Sequence, residues 1–481
     1  MVFNSFGFAF FMFCVFLLYW TLFKNKKKIQ NLFILVTSLY FYALTDWRFL
    51  TLLVFCILTN YYVGLQIEKV KKEKSKQRFL YAGLVFNIGL LLYFKYLNFF
   101  ISSFFSVLNL TETAQEYSSL HIIVPLGISF FTFQNIGYLL DVFNEQIKAE
   151  KNIVHFTIFT AYFPKILSGP IERAGSFLPQ IKKERIFSDS VIIDGLRQIL
   201  WGLFAKMVVA ENCAGIVRPI FDNYTNEPWT MLLVGALFYT IQLYADFSGY
   251  SNMAIGVSKL LGIQLTKNFA TPFFSTNIAD FWRGWHISLT TWMMDYVFTP
   301  LSFTLRAHKK FGLVTAIVAT FVLVGLWHGA NWTFIVYGLL HGLYFIPIVY
   351  KGNLLGSANS KDKPARHVLL NGAKGVGLFL IVALTAVFFG SETITMGAHY
   401  IWNILSCKTG AYLFAPFGVN LGYMAVIISF FFFMEWINKN RKHDFEINYM
   451  PTLLRWAIYM FIFLLLLLFG KSSDSFIYFQ F

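Results

Sequence analysis

Apolar runs long enough to cross a bilayer recur along this chain of 481 residues, interrupted by short clusters of polar side chains. About 20 apolar residues cover a hydrocarbon core of ~30 Å, and residues 368–390, 414–437 and 450–470 reach that length with little charge. The opening "MVFNSFGFAFFMFCVFLLYWTLF" has neither the basic start nor the small-residue cleavage site of a signal peptide, so it reads as a first span. Counting in this way predicts an all-α polytopic membrane protein with roughly 11–12 crossings. No linker is long enough to hold a soluble domain, so residues 1–481 read as one membrane domain. The most loop-like stretch, "YKGNLLGSANSKDKPARHVLL" (350–370), divides a core at 121–350 from C-terminal helices at 366–470.

Polar residues within spans are costly, on the order of 2.5–3.5 kcal/mol for a central charge. They gather here in five islands. "VPLGISFFTFQNIGYLLDVF" (124–143) carries Ser129, Thr132, Gln134, Asn135 and Asp141. "AYFPKILSGPIERAG" (161–175) sets Pro164 and Pro170 around Lys165, a pattern that breaks a helix and predicts a fold-back. In "IQLYADFSGYSNMAIG" (241–256), Asp246 and Ser248 invite a nucleophile reading. No histidine accompanies them, and a hydrogen-bonded network lining a cavity fits better.

The fourth island lies between Pro272 and Pro300. Asn277 caps a helix, with Asp280 three residues on. Trp285, Leu289, Trp292 and Tyr296 then form an aromatic stripe at helical spacing, with Arg283, His286 and Thr290 on a neighbouring face. Such a helix suits a cytoplasm-facing layer better than a span. The fifth island is "VGLWHGANWTF" (324–334). A helix starting just past Lys310 places His328 ~27 Å along its axis, inside the membrane and towards its outer side. Lipid contact is untenable for the ring, so it faces a polar cavity. Imidazole is also the side chain best matched to proton transfer near neutral pH.

Composition strengthens the membrane reading: 57% of residues are hydrophobic, 20% aromatic and only 13% charged. The net charge of +15 is concentrated in short loops, such as those around residues 69–78, 306–310 and 351–366, while the loop at 109–120 has no basic residue and that at 218–229 has one arginine. The positive-inside rule then places both chain ends outside. The same basic loops can also dock an anionic cytoplasmic partner, an acyl carrier or the phosphates of coenzyme A. Charge in short inter-span loops argues against nucleic acid. Cys14, Cys56, Cys213 and Cys407 are scattered without a CxxC pair, which supports neither a disulfide framework nor a metal site.

Taken together, the islands resemble the membrane-bound O-acyltransferase family. The resemblance rests on "DFWRGWHISLTTWMMDYVFTPL" followed by "GLWHGANWTFIVYGLLHG". It is supported by "MVFNSFGFAFF", "YFKYLNFF", "PLGISFFTFQNIGYLLDVF", "FPKILSGPIERA", "YADFSGYSNMAIG" and the terminal "FIYFQF". Within the family it points to the branch that O-acetylates alginate and, more distantly, to the branch that D-alanylates teichoic acid.

The resemblance implies a ring of helices with re-entrant and horizontal segments around a central funnel, in the bacterial cytoplasmic membrane. An acyl group, acetyl by this likeness, passes from a cytoplasmic thioester, acyl-CoA or an acyl carrier, towards an extracytoplasmic polysaccharide or a partner acetyltransferase. No cofactor is held permanently. His328 matches the essential histidine and His286 the second characteristic position. Arg283, Trp285, Asp246, Ser248, Asn331 and Lys165 become donor-binding or tunnel-lining residues. Gly284 departs from the pattern, replacing a basic residue that relatives often carry. His328 fits either a general base or an acyl carrier. The alternatives are D-alanyl transfer to a teichoic-acid-type polymer, and a non-enzymatic transporter or exporter of the acyl group.

Overall fold

The computed structural model describes residues 2–108, 122–352, 365–410 and 421–471. Every regular element among them is helical, as expected where lipid offers backbone groups no partner. The chain is a multi-pass membrane protein. Among the described residues, nine helices are long and apolar enough to cross a bilayer, fewer than the 11–12 crossings expected. The opening helix, Phe6–Thr21, has only 16 residues and is not one of the nine. Elsewhere, apolar sequence is cut into short helices that bury themselves on protein: Ile128–Phe143, Ile153–Ala161, Ala174–Lys182, Ile278–Gly284 and Ile287–Met293. The loop at 109–120, the centre of the 350–370 linker and the terminal "FIYFQF" lie outside the described residues.

The chain gathers into two compact units, residues 1–196 with 254–266 and residues 197–253 with 267–481. In the first unit, helices Trp47–Lys69 and Glu73–Leu91 are tied by a buried amide pair. Asn87 Nδ2 donates to Asn60 Oδ1 at 2.7 Å and Asn60 Nδ2 donates back to Asn87 Oδ1 at 3.2 Å, while both amides also reach backbone carbonyls one turn earlier. Polar side chains paired in this way join helices in lipid, where apolar contact alone gives little preference.

The proline-flanked segment after Ile153–Ala161 does fold back. It turns through residues 163–169 before helix Ala174–Lys182, and no candidate span includes it. Gly127 lies opposite in a left-handed turn, φ 76°, where a Cβ would meet the Ile166 carbonyl oxygen at 2.2 Å. Only glycine permits that approach.

In the second unit, two helices cross through glycine. A Cβ on Gly202 would lie 2.6 Å from Gly249 O, and one on Gly249 would lie 2.8 Å from Gly202 O. Such small-residue contacts allow backbones to approach closely, and one turn further on Lys206 meets Asp246. The helices Lys309–His328 and Trp332–Leu343 form a hairpin on the same principle. Gly325 faces the Phe334 carbonyl and Gly338 the Phe321 carbonyl, with room for no side chain on either. Asn331 caps the second helix, its Oδ1 accepting from Thr333 N at 3.1 Å. His328 is thereby fixed as the last residue of the first helix.

Candidate active site

His328 ends its helix and is only 3% exposed. Its ring packs edge-on against Phe389 at 5.1 Å, Trp327 at 5.2 Å and Tyr337 at 6.1 Å. The opposing helices and the segment around Phe389 thus close an aromatic box about it. Trp327 also touches His286, at a centroid distance of 5.5 Å. The two histidines named from sequence are brought to one tryptophan, although 42 positions separate them in the chain (328 less 286).

His286 arrives there by a break in the chain that helical spacing did not predict. Helix Ile278–Gly284 stops, Trp285 is extended, and His286 adopts a left-handed φ of 43° before helix Ile287–Met293 begins. The stripe of Trp285, Leu289, Trp292 and Tyr296 is therefore not one face of one helix, and Arg283 and His286 do not share a face. The physical reason is tertiary. Asn268 O accepts from Ile287 N at 2.8 Å, and Gly284 O accepts from Ala270 N at 2.9 Å, pinning the break to the preceding segment. At Gly284 a Cβ would lie 2.7 Å from Ala270 O, so the departure noted in sequence sits where the backbone is tight. The predicted cap is present, with Asn277 Oδ1 accepting from Asp280 N at 2.9 Å.

Asn268 surrounds His286 with fixed partners. Its Oδ1 meets His286 Nδ1 at 3.0 Å, Ser288 Oγ at 2.9 Å and Ser288 N at 3.3 Å, while its Nδ2 donates to Ser251 Oγ at 3.0 Å. Phe247 packs edge-on against the imidazole at 4.6 Å. His286 is fully buried and belongs to no candidate span. Burial pushes its pKa down to about 3, so the ring is neutral.

The remaining candidates separate into different roles. Trp285 is buried in an aromatic cluster, stacked on Phe281 at 5.5 Å and packed on Phe269 and Tyr244. Arg283 is half-exposed and ion-paired with Asp280. Asp246 is bound to Lys206 at 2.5 Å, both nearly inaccessible, with Glu211 3.5 Å from the same ammonium. Ser248 is buried and its hydroxyl has no hydrogen-bond partner among the described residues, so no base activates it. Asn331 serves as a helix cap and also donates to Glu392 O at 2.8 Å. Lys165 belongs to the first unit. It donates to Gln134 and to Phe159 O and lies 5.1 Å from the centres of the Phe159 and Phe177 rings.

Three residues escaped sequence reasoning. Lys206 is a lone cation in "WGLFAKMVVA", and a scan for charges inside apolar runs finds it. Asn268 had only its polarity before "FATPFF" as a signal. His341 is fully buried, and its Nδ1 accepts from Trp282 Nε1 at 3.3 Å. Its position in "GLLHG", one turn from a helix end, marks it no more than any buried histidine.

Chemically, two imidazoles on one indole, enclosed by aromatic rings, form a water-poor place to move protons. Electrostatic effects there are stronger than in water.

The chain is similar in sequence to known acyltransferases. The sequence profile of the membrane-bound O-acyltransferase family matches residues 144–391. The chain is 35% identical over 401 residues to the probable alginate O-acetylase AlgI of Pseudomonas aeruginosa, covering 82% of this chain and 73% of that protein. It is 35% identical over 329 residues to the peptidoglycan O-acetyltransferase of Helicobacter pylori, 63% of this chain and 61% of that one. To the teichoic acid D-alanyltransferase of Bacillus subtilis it is 31% identical over 212 residues, 42% of this chain and 53% of that one.

Proposed function

We propose, starting from the premise that this chain belongs to the membrane-bound O-acyltransferase family and is an O-acyltransferase, that it O-acetylates an extracytoplasmic polysaccharide from the bacterial cytoplasmic membrane. The acetyl donor is a cytoplasmic thioester, acetyl-CoA or a loaded acyl carrier. The acceptor is a polysaccharide hydroxyl, reached directly or through an extracytoplasmic partner acetyltransferase. The observation that carries this reading is the meeting of His328 and His286 on Trp327 in a buried aromatic box.

In the proposed reaction His328 takes the proton of the acceptor hydroxyl as its oxygen attacks the thioester carbonyl. The tetrahedral intermediate collapses with loss of the sulfur, and the proton passes to that thiolate. A positioned base contributes roughly 10²–10⁴-fold to such a step. His286 is the second imidazole, packed on the same indole, and takes the donor-side role of positioning the thioester or accepting a proton there; Trp327 itself relays no proton. Arg283, half-exposed at the end of its short helix and ion-paired with Asp280, is the cation we assign to the phosphates of a donor.

The test is purified protein in lipid nanodiscs supplied with labelled acetyl-CoA and, separately, with a D-alanyl-loaded carrier protein. Acetyl release from the thioester, dependent on an added polysaccharide hydroxyl, is the expected result. Solute movement without thioester cleavage, or use of D-alanyl alone, would replace this reading with export or with D-alanylation.

A further inference from the structure

The side chain that holds His286 has a consequence for its chemistry. Asn268 is wholly buried, and Ser288 N approaches its Oδ1 end at 3.3 Å. A backbone N–H can only donate, so it selects the oxygen end of the amide. Ser251 takes the opposite, Nδ2 end. With oxygen facing His286, the ring's Nδ1 can engage it only as a donor. A neutral imidazole has a single N–H, so the lone pair then resides on Nε2. That atom is buried and has no hydrogen-bond partner among the described residues.

We infer that Asn268 is a positioning residue: its carbonyl holds His286 in the Nδ1–H form and leaves Nε2 as the atom that accepts a proton. This rests on the role in acyl transfer proposed for His286. When Nε2 takes a proton the ring becomes imidazolium, and its Nδ1–H bond to Asn268 becomes charge-assisted and stronger. When the proton leaves, the starting tautomer returns. Asn268 neither gains nor loses a proton at any stage.

The rings touching His286 are Phe247, Phe269 and Trp327, none of which titrates. The ionisable side chains nearest to them in sequence are few. Asp246, already paired with Lys206, precedes Phe247; Lys267 precedes Asn268; His328 follows Trp327. On the ring's own segment, Arg283 is paired with Asp280.

The experiment measures kcat and KM for acetyl transfer in Asn268→Asp and Asn268→Ala, with His286→Ala alongside. It also follows the His286 ring nitrogens against pH by 15N NMR, assigned by their loss in His286→Ala, because the acid limb of kcat/KM also carries His328, the base at the acceptor. A carboxylate at 268 favours the imidazolium and moves the His286 titration to higher pH by about one unit or more. Alanine leaves both tautomers populated, lowering kcat by about tenfold or more while the donor KM stays put. A monodisperse Asn268→Asp with the parental His286 titration, or Asn268→Ala with the parental kcat, overturns the inference. If the aspartate variant does not fold, the alanine variant decides alone through its split between kcat and KM. Inactive His286→Ala beside unperturbed Asn268 variants defeats this inference only. Active His286→Ala defeats the proposed role of His286 itself.

Discussion

Replacing Gly325 with alanine tests whether backbone contact between two helices sets the position of His328. A Cβ on residue 325 would lie 2.1 Å from the Phe334 carbonyl oxygen, 3.0 Å from its carbon and 3.2 Å from Gly338 Cα. All three neighbours are backbone atoms, so no rotamer change relieves the overlap. An ordinary carbon–oxygen contact begins at about 3.3 Å, and the helices must therefore separate by roughly 1 Å. His328 lies one turn further along the same helix and moves with it. A displacement of about 1 Å at a reacting group lowers turnover by up to ~10²-fold, and overpacking of this kind costs ~1–3 kcal/mol.

We therefore expect Gly325→Ala to reduce kcat for acetyl transfer by about 10- to 100-fold and to lower Tm in detergent. Gly377→Ala is the control, because nothing lies within 4 Å of a Cβ there. It exchanges a helical glycine for a better helix former, a gain of ~0.5–1 kcal/mol, and turnover should not change. Parental turnover and Tm in the Gly325→Ala protein would refute the argument that glycine contact fixes the histidine.

Other outcomes follow from the same geometry. His328→Ala should leave a monodisperse protein, losing only ~1–3 kcal/mol of stability, while transfer falls by ~10²–10⁴-fold; a variant keeping a tenth of parental activity would make His328 structural. Asp246→Asn removes the nearer of two carboxylates from a buried lysine, leaving Glu211 at 3.5 Å, and should destabilise by up to ~3–5 kcal/mol, visible as a drop in Tm, whereas Lys206→Met combined with Asp246→Leu should recover much of it. Equal Tm values for Asp246→Asn and the parent would show that the pair contributes nothing. Arg283→Ala removes an exposed pair of ~0–1 kcal/mol, so stability should hold while KM for the thioester donor rises; an unchanged KM would confine Arg283 to its contact with Asp280.

Much of this protein was legible in its sequence because bilayer length and the cost of buried polarity act locally. The apolar runs gave the membrane class and the helical architecture. The prolines around Lys165 gave the fold-back, and Asn277 with Asp280 gave a helix start, since caps and breaks depend on neighbours in the chain. Family-level motifs singled out His328 and His286. What the sequence left undecided was set by contacts between distant residues. A stripe at i, i+4, i+7 and i+11 could not reveal that Asn268 and Ala270 pull the chain out of helix at Trp285, because those bonds are made across the fold. Nor could it pair Lys206 with Asp246, which meet only because Gly202 and Gly249 let two helices touch. The atom of His286 that holds the proton is likewise a tertiary matter, since an imidazole's tautomer follows from the group placed against it. Here that group is the amide of Asn268.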